Sequence, residues 1–124
     1  RIAELLPAEV MCPAVGQGAL AIETRDEDSP ARALDDRATR VAVTAERAVL
    51  AGLGGGCQVP IGAHAWLEGE TLHLRAAVIA PGGGQPLIRT AQGPAAEAQA
   101  LGEALAGELL ASGAARILET VYGV

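Results

Sequence analysis

From residue 38 onward the spacing of apolar residues changes twice, and this order limits the folds open to the chain. Val41, Ala45, Ala48, Val49 and Leu53 recur at helical spacing, with Arg40, Glu46 and Arg47 elsewhere on the wheel. Asp35 or Asp36 is placed to cap the start, and Gly52 with Gly54 to Gly56 marks the stop. The period then falls to two. Val59, Ile61, Ala63, Ala65 and Leu67 share one strand face, and Leu72, Leu74, Ala76 and Val78 share the next. Glu68-Gly69-Glu70 and Pro81 to Gly84 are turn candidates, and Leu87 to Ala91 is a third, shorter strand. Pro94 opens a second helix, with Ala98, Leu101, Leu105 and Leu109 on one face; Ser112-Gly113 closes it, and Ala114 to Leu118 adds a last turn. Helix, three strands, helix predicts an α+β domain: an antiparallel three-stranded meander with helices on one face.

The first 37 residues read differently. Ile2, Leu5, Leu6, Val10 and Met11 form a short amphipathic piece broken by Pro7 and ended by Pro13. Ala14 to Glu23 reads as a flexible turn, with glycines on both sides of Gln17, entering a buried strand. Residues 24–37 are charged and read as a solvated turn and short helix. Residues 24–37 are also the expected inter-domain connection, so two units are expected: residues 1–37, with a hinge-like turn and a strand, and residues 38–124, the α+β domain. The chain starts with Arg1 inside helical-looking sequence, which reads as a piece of a longer protein.

Composition narrows the function. The sequence has 124 residues and a formal net charge of −6, which disfavours non-specific nucleic-acid binding. All nine positive charges are arginines, and a few arginines make a local site for a small anion on an acidic protein. No apolar run approaches the ~20 residues of a membrane span, no signal peptide is visible, and two cysteines are few for a disulfide-stapled secreted domain. These features make the cytoplasm the expected compartment.

Among side chains, Cys57 stands out. It sits where a helix hands over to a strand, behind three glycines that leave room beside the sulfur. Cys12, Cys57, His64 and His73 lack the close ligand pairs of a metal site, so no metal is expected. The glycine run lacks the Lys and Ser/Thr of a phosphate loop and precedes a strand. His64 and His73 read as a surface pair on adjacent strands; a Cys–His nucleophile pair and a Cys12–Cys57 disulfide find no further support. Gln17 and the Gly18 amide are placed to donate into a cleft, and Arg25 and Arg47 are carboxylate-binding candidates.

Three blocks resemble the porphobilinogen deaminase family: Pro13-Ala14-Val15-Gly16-Gln17-Gly18-Ala19-Leu20-Ala21-Ile22-Glu23, Thr44-Ala45-Glu46-Arg47-Ala48, and Gly54-Gly55-Gly56-Cys57-Gln58-Val59-Pro60-Ile61-Gly62. They occur in the family's order and near its spacing. The resemblance implies a transferase, typically monomeric, that joins porphobilinogen units head to tail, releases ammonia and yields a linear tetrapyrrole. It implies a dipyrromethane cofactor joined to Cys57 by a thioether, with Gln17, Gly18, Arg25 and Arg47 as cofactor contacts. A soft thiolate suits capture of the electrophilic carbon left when porphobilinogen loses ammonia, and the thioether resists hydrolysis. The family's catalytic aspartate belongs to its first domain, and Asp26, Asp28, Asp35 and Asp36 do not match it. The chain alone is therefore expected to be inactive and to need the preceding domains as partners. Two other classes remain beside this one: a non-enzymatic α+β interaction module with an inert Cys57, and a thiol enzyme using His64 or His73.

Overall fold

The computed structural model describes residues 1–25, 30–56 and 59–123. Helix α1 spans Arg37–Gly52; strands β1, β2 and β3 span Ile61–Glu68, Thr71–Val78 and Leu87–Pro94; helices α2 and α3 span Ala98–Leu109 and Ala115–Tyr122. The sheet order is β1-β2-β3 and both pairings are antiparallel. The expected α+β class and the meander are both present.

Each element has a local cause. Asp36 caps α1: its carboxylate accepts from the Thr39 amide at 2.9 Å and the Thr39 hydroxyl at 2.7 Å. At the other end Gly54 takes φ 69°, its amide donates to Ala51 and that of Gly55 donates to Leu50. This paired closure needs a left-handed residue, which is why a glycine follows Leu53. The strands alternate: Leu72, Leu74, Ala76 and Val78 of β2 are buried, as are Ile61, Ala63 and Ala65 of β1.

The core lies between this sheet face and the helices. Ala45, Val49 and Leu53 of α1 and Leu105, Ala106 and Leu109 of α2 join the inward strand residues in one cluster. With almost no aromatic volume available, the helices approach closely instead. A Cβ on Gly102 would sit 2.6 Å from the Ala48 methyl, and one on Gly52 would sit 2.6 Å from the Ala106 methyl.

Four expectations need correction. Strand β3 runs to Pro94, which pairs with Thr71, and α2 begins at Ala98 after a short 3-10 turn. Pro94 fits because it ends an edge strand, where its missing N–H costs no ladder bond. The last helix is longer than one turn: the chain bends through Leu110–Ala114, where Gly113 has φ 114°, and α3 continues to Tyr122 around buried Leu118. Residues 1–13 form no helix; Pro7 instead accepts from the Val10 and Met11 amides in a single turn. Residues 19–24 form no strand and are not buried: Leu20 is 93% exposed and Ile22 56% exposed. A strand needs a neighbour for its backbone, and none pairs with this segment among the described residues. The charged stretch holds one 3-10 turn at Pro30–Leu34, and residues 26–29 lie outside the described residues.

Candidate functional site

The glycine run is anchored on both flanks. Tyr122 Oη of α3 donates to the Gly54 carbonyl at 2.8 Å, and the Gly55 backbone packs against Leu50, Val59 and Ile61. Past the loop, the Pro60 carbonyl accepts from the Ile79 amide at 3.2 Å, just beyond β2. Cys57 and Gln58 lie between these anchors and outside the described residues.

The Ala14–Gly18 segment is a tight turn that closes on itself. The Gln17 amide donates to the Ala14 carbonyl at 3.0 Å, and the Ala14 amide donates to Gln17 Oε1 at 3.0 Å. One end of the Gln17 side chain is thus spent on its own turn. Gly16 and Gly18 take φ of 70° and 88°.

Glu46 carries this turn to the sheet. Only 6% exposed, it is the one buried charged residue among those described. Its Oε2 accepts from the Gly16 amide at 2.7 Å and its Oε1 from the Ala65 amide at 2.8 Å. A carboxylate loses hydration on burial and needs such replacements; two N–H groups supply them. The sequence set Glu46 beside Arg40 and Arg47 away from the apolar face of α1, yet it is buried, because a carboxylate satisfied by distant backbone amides leaves no pattern in the chain.

Beside the turn opens a broad groove of about 1190 Å³. Gly16, Gly18 and residues 19–22 line one side; Arg32, Arg40 and Arg47 contribute the positive charge. Arg40 is held by Asp35 at 2.9 Å, whereas Arg47 projects from α1 as an exposed side chain. The structure therefore brings Gly18 and Arg47 to one groove. Arg25 is exposed and is not among the lining residues, and Gln17 lies in the adjoining turn.

The remaining candidates fall elsewhere. His64 and His73 stack on Trp66, with ring centroids 5.6 and 5.2 Å away, on the sheet face opposite the helices. His73 also lies 3.5 Å from the Glu68 carboxylate. Both histidines thus form the surface cluster expected of them. No group of three or more metal-ligating side chains occurs among the described residues. Cys12 is half-buried, with Sγ 3.9 Å from the Arg75 carbonyl. Burial pushes its thiol up, against the opposing pull of Arg75. No helix among the described residues is long and apolar enough to cross a membrane.

The chain is thus an α+β protein with an open groove to which three arginines and two aspartates contribute. Residues 40–111 match the model of the porphobilinogen deaminase C-terminal domain, and residues 1–33 match that of the porphobilinogen deaminase dipyromethane cofactor binding domain. The chain belongs to the porphobilinogen deaminase family, the hydroxymethylbilane synthases, which are transferases of porphyrin and heme synthesis.

Proposed function

We propose that this chain is the C-terminal part of a hydroxymethylbilane synthase and that Cys57 carries its dipyrromethane primer through a thioether. The parent transferase condenses porphobilinogen into a linear tetrapyrrole with loss of ammonia. The observation that carries this reading is the meeting of two distant sequence blocks at one groove, Gly18 from the first and Arg47 from the second. The group fits the residues present. Its acetate and propionate arms are anions, and the groove offers Arg32, Arg47 and glycine backbone, while Asp35, also on its wall, is paired with Arg40 and Asp36 caps α1. When bound, the primer supplies the pyrrole carbon on which the product chain is extended.

The chain's own residues have narrower tasks. Arg47 binds carboxylate from the groove wall, and Arg25 does so from the edge of the cofactor segment. Gln17 holds the turn beside the cofactor through its bonds to Ala14, and Gly18 turns its backbone amide toward the cofactor. Residues 1–37 serve as hinge and return segment of the preceding domains of the same protein, and 38–124 as the attachment domain. The enzyme works as a cytoplasmic monomer on a small-molecule substrate. No residue here matches the family's catalytic aspartate, so the chain alone does not polymerise porphobilinogen.

Intact mass of the denatured full-length enzyme tests the reading. A dipyrrole adduct that disappears in Cys57→Ser is the expected result. A bare thiol in enzyme purified in active form overturns the assignment and favours the inert-cysteine module.

A further inference from the structure

We propose that Glu46 is a positioning residue: it latches the Ala14–Gly18 turn to the three-stranded domain, so that residues 12–18 move with that domain as one body. Residues 12–18, although before residue 38, then belong mechanically to the domain that follows.

Four contacts, each short of an element of its own, fasten this stretch. The Pro13 carbonyl accepts from the Ala63 amide at 2.9 Å. Cys12 Sγ lies against the Arg75 carbonyl, and Val15 packs on the core cluster. The Gly16 amide reaches Glu46 at 2.7 Å. Strand β1 is an edge strand, and its free edge would present the Ala63 and Ala65 amides to solvent. Pro13 covers the first and Glu46 the second, so the incoming chain and the carboxylate together finish the sheet. Gly62 makes the approach possible: a Cβ there would lie 2.9 Å from the Cys12 carbonyl oxygen and 3.0 Å from that of Pro13.

Leu20 and Ile22, just beyond Gly18, are exposed. Glu46 is the member of this set that cannot be replaced by shape alone. It is charged and buried, and one carboxylate serves two amides from segments far apart in sequence. Losing it strands both N–H groups at once. The consequence for Gln17 and Gly18 at a cofactor rests on the function proposed above; the latch itself does not.

Residue-resolved amide exchange on the full chain tests the latch. In Glu46→Gln the carboxamide turns an NH₂ toward one donor and offers the other a neutral oxygen in place of a charged one, so both bonds weaken. Exchange at Gly16 and Ala65 should rise roughly tenfold to a hundredfold, while α2 amides such as Leu105 keep their wild-type rates. Gly62→Val is the second variant, because it leaves Glu46 intact. It should speed exchange at Ala63 and through Val15–Gly16 and spare Ala65. Unchanged exchange at Gly16 in Glu46→Gln, or a rise spread evenly over α2 as well, overturns the proposal. If Glu46→Gln does not fold, unchanged exchange at Ala63 and Gly16 in Gly62→Val overturns it. A bare Cys57 in the active enzyme would sink the functional reading and leave these exchange results standing.

Discussion

The hydroxyl of Tyr122, in the last turn of α3, donates to the carbonyl of Gly54, the left-handed residue that ends α1. The C-terminal helix is thereby tied to the first residue of the glycine run leading to Cys57. Two changes at this joint should behave differently from a third. Tyr122→Phe removes one neutral hydrogen bond and should cost ~0.5–1.5 kcal/mol. Gly54→Ala places a Cβ at φ 69° and should cost ~1–2 kcal/mol. Gly56 has no positive φ and open space where a Cβ would go, so Gly56→Ala should be neutral or slightly stabilising. Urea unfolding of the three variants gives this ranking directly; a Gly56→Ala loss as large as that of Gly54→Ala would contradict it.

The helix crossing offers a second contrast. Gly102 faces the α1 backbone at Ala45 and the Ala48 methyl, whereas Gly107, in the same helix, has nothing within 4 Å of a built Cβ. Gly102→Ala should overpack the crossing and destabilise by ~1–3 kcal/mol. Gly107→Ala should gain up to ~1 kcal/mol from helix propensity. Thermal melts of the two single mutants, moving in opposite directions, are the expected result.

Stability should also fall in acid for a local reason. The Thr39 hydroxyl, and then its amide, hold the Asp36 carboxyl below the usual range. Arg37 does the same for Glu70 through paired bonds of 3.0 and 2.7 Å that fasten the start of α1 to the β1–β2 turn. Both carboxyls are depressed in the folded state, so their contributions are present above the ordinary carboxylate range. They are lost as pH falls through the lowered folded values. Both groups are exposed, and the effect is correspondingly small. Asp36→Ala should melt below wild type at neutral pH, and the gap should close at strongly acidic pH; a gap independent of pH would refute the cap's ionised role.

Much of the domain was legible because its elements carry their faces in the sequence. The Val41–Leu53 stripe and the alternation through Val78 mark surfaces that each have one buried side, and periodicity reports that and little else. Pro94 misled because its ring reads as a helix start, while its pairing with Thr71 depends on a neighbouring strand. Ala19 to Ile22 misled because apolar residues predict burial without saying what buries them. The Gly102–Ala48 approach and the Glu46 amide bonds were invisible, since both are made by residues distant in the chain with no spacing rule between them. Of the candidate site, Gly18 and Arg47 do share a groove, yet nothing in sequence ranked Arg47 above Arg25.

That ranking leads to the last prediction. Arg47 stands in the groove beside Gly18, and Arg25 does not line it. Arg40, about two turns away on α1, is already engaged by Asp35. On the proposed reading, a carboxylate entering the groove meets Arg47, a charge-assisted donor set on a helix and adjacent in sequence to the buried Glu46 that bonds the helix to the sheet, whereas Arg32 sits on a short 3-10 turn. In the full-length enzyme Arg47→Ala should weaken retention of a carboxylate-bearing pyrrole by roughly tenfold to a hundredfold, the loss of one charged hydrogen-bonding partner. Arg47→Lys should recover only part of it, because an ammonium cannot present the paired N–H fork. Arg25→Ala should have the smaller effect. Titrating enzyme with substrate and following bound pyrrole orders the three variants, and a larger loss in Arg25→Ala than in Arg47→Ala would show that the groove wall is not where the carboxylates bind.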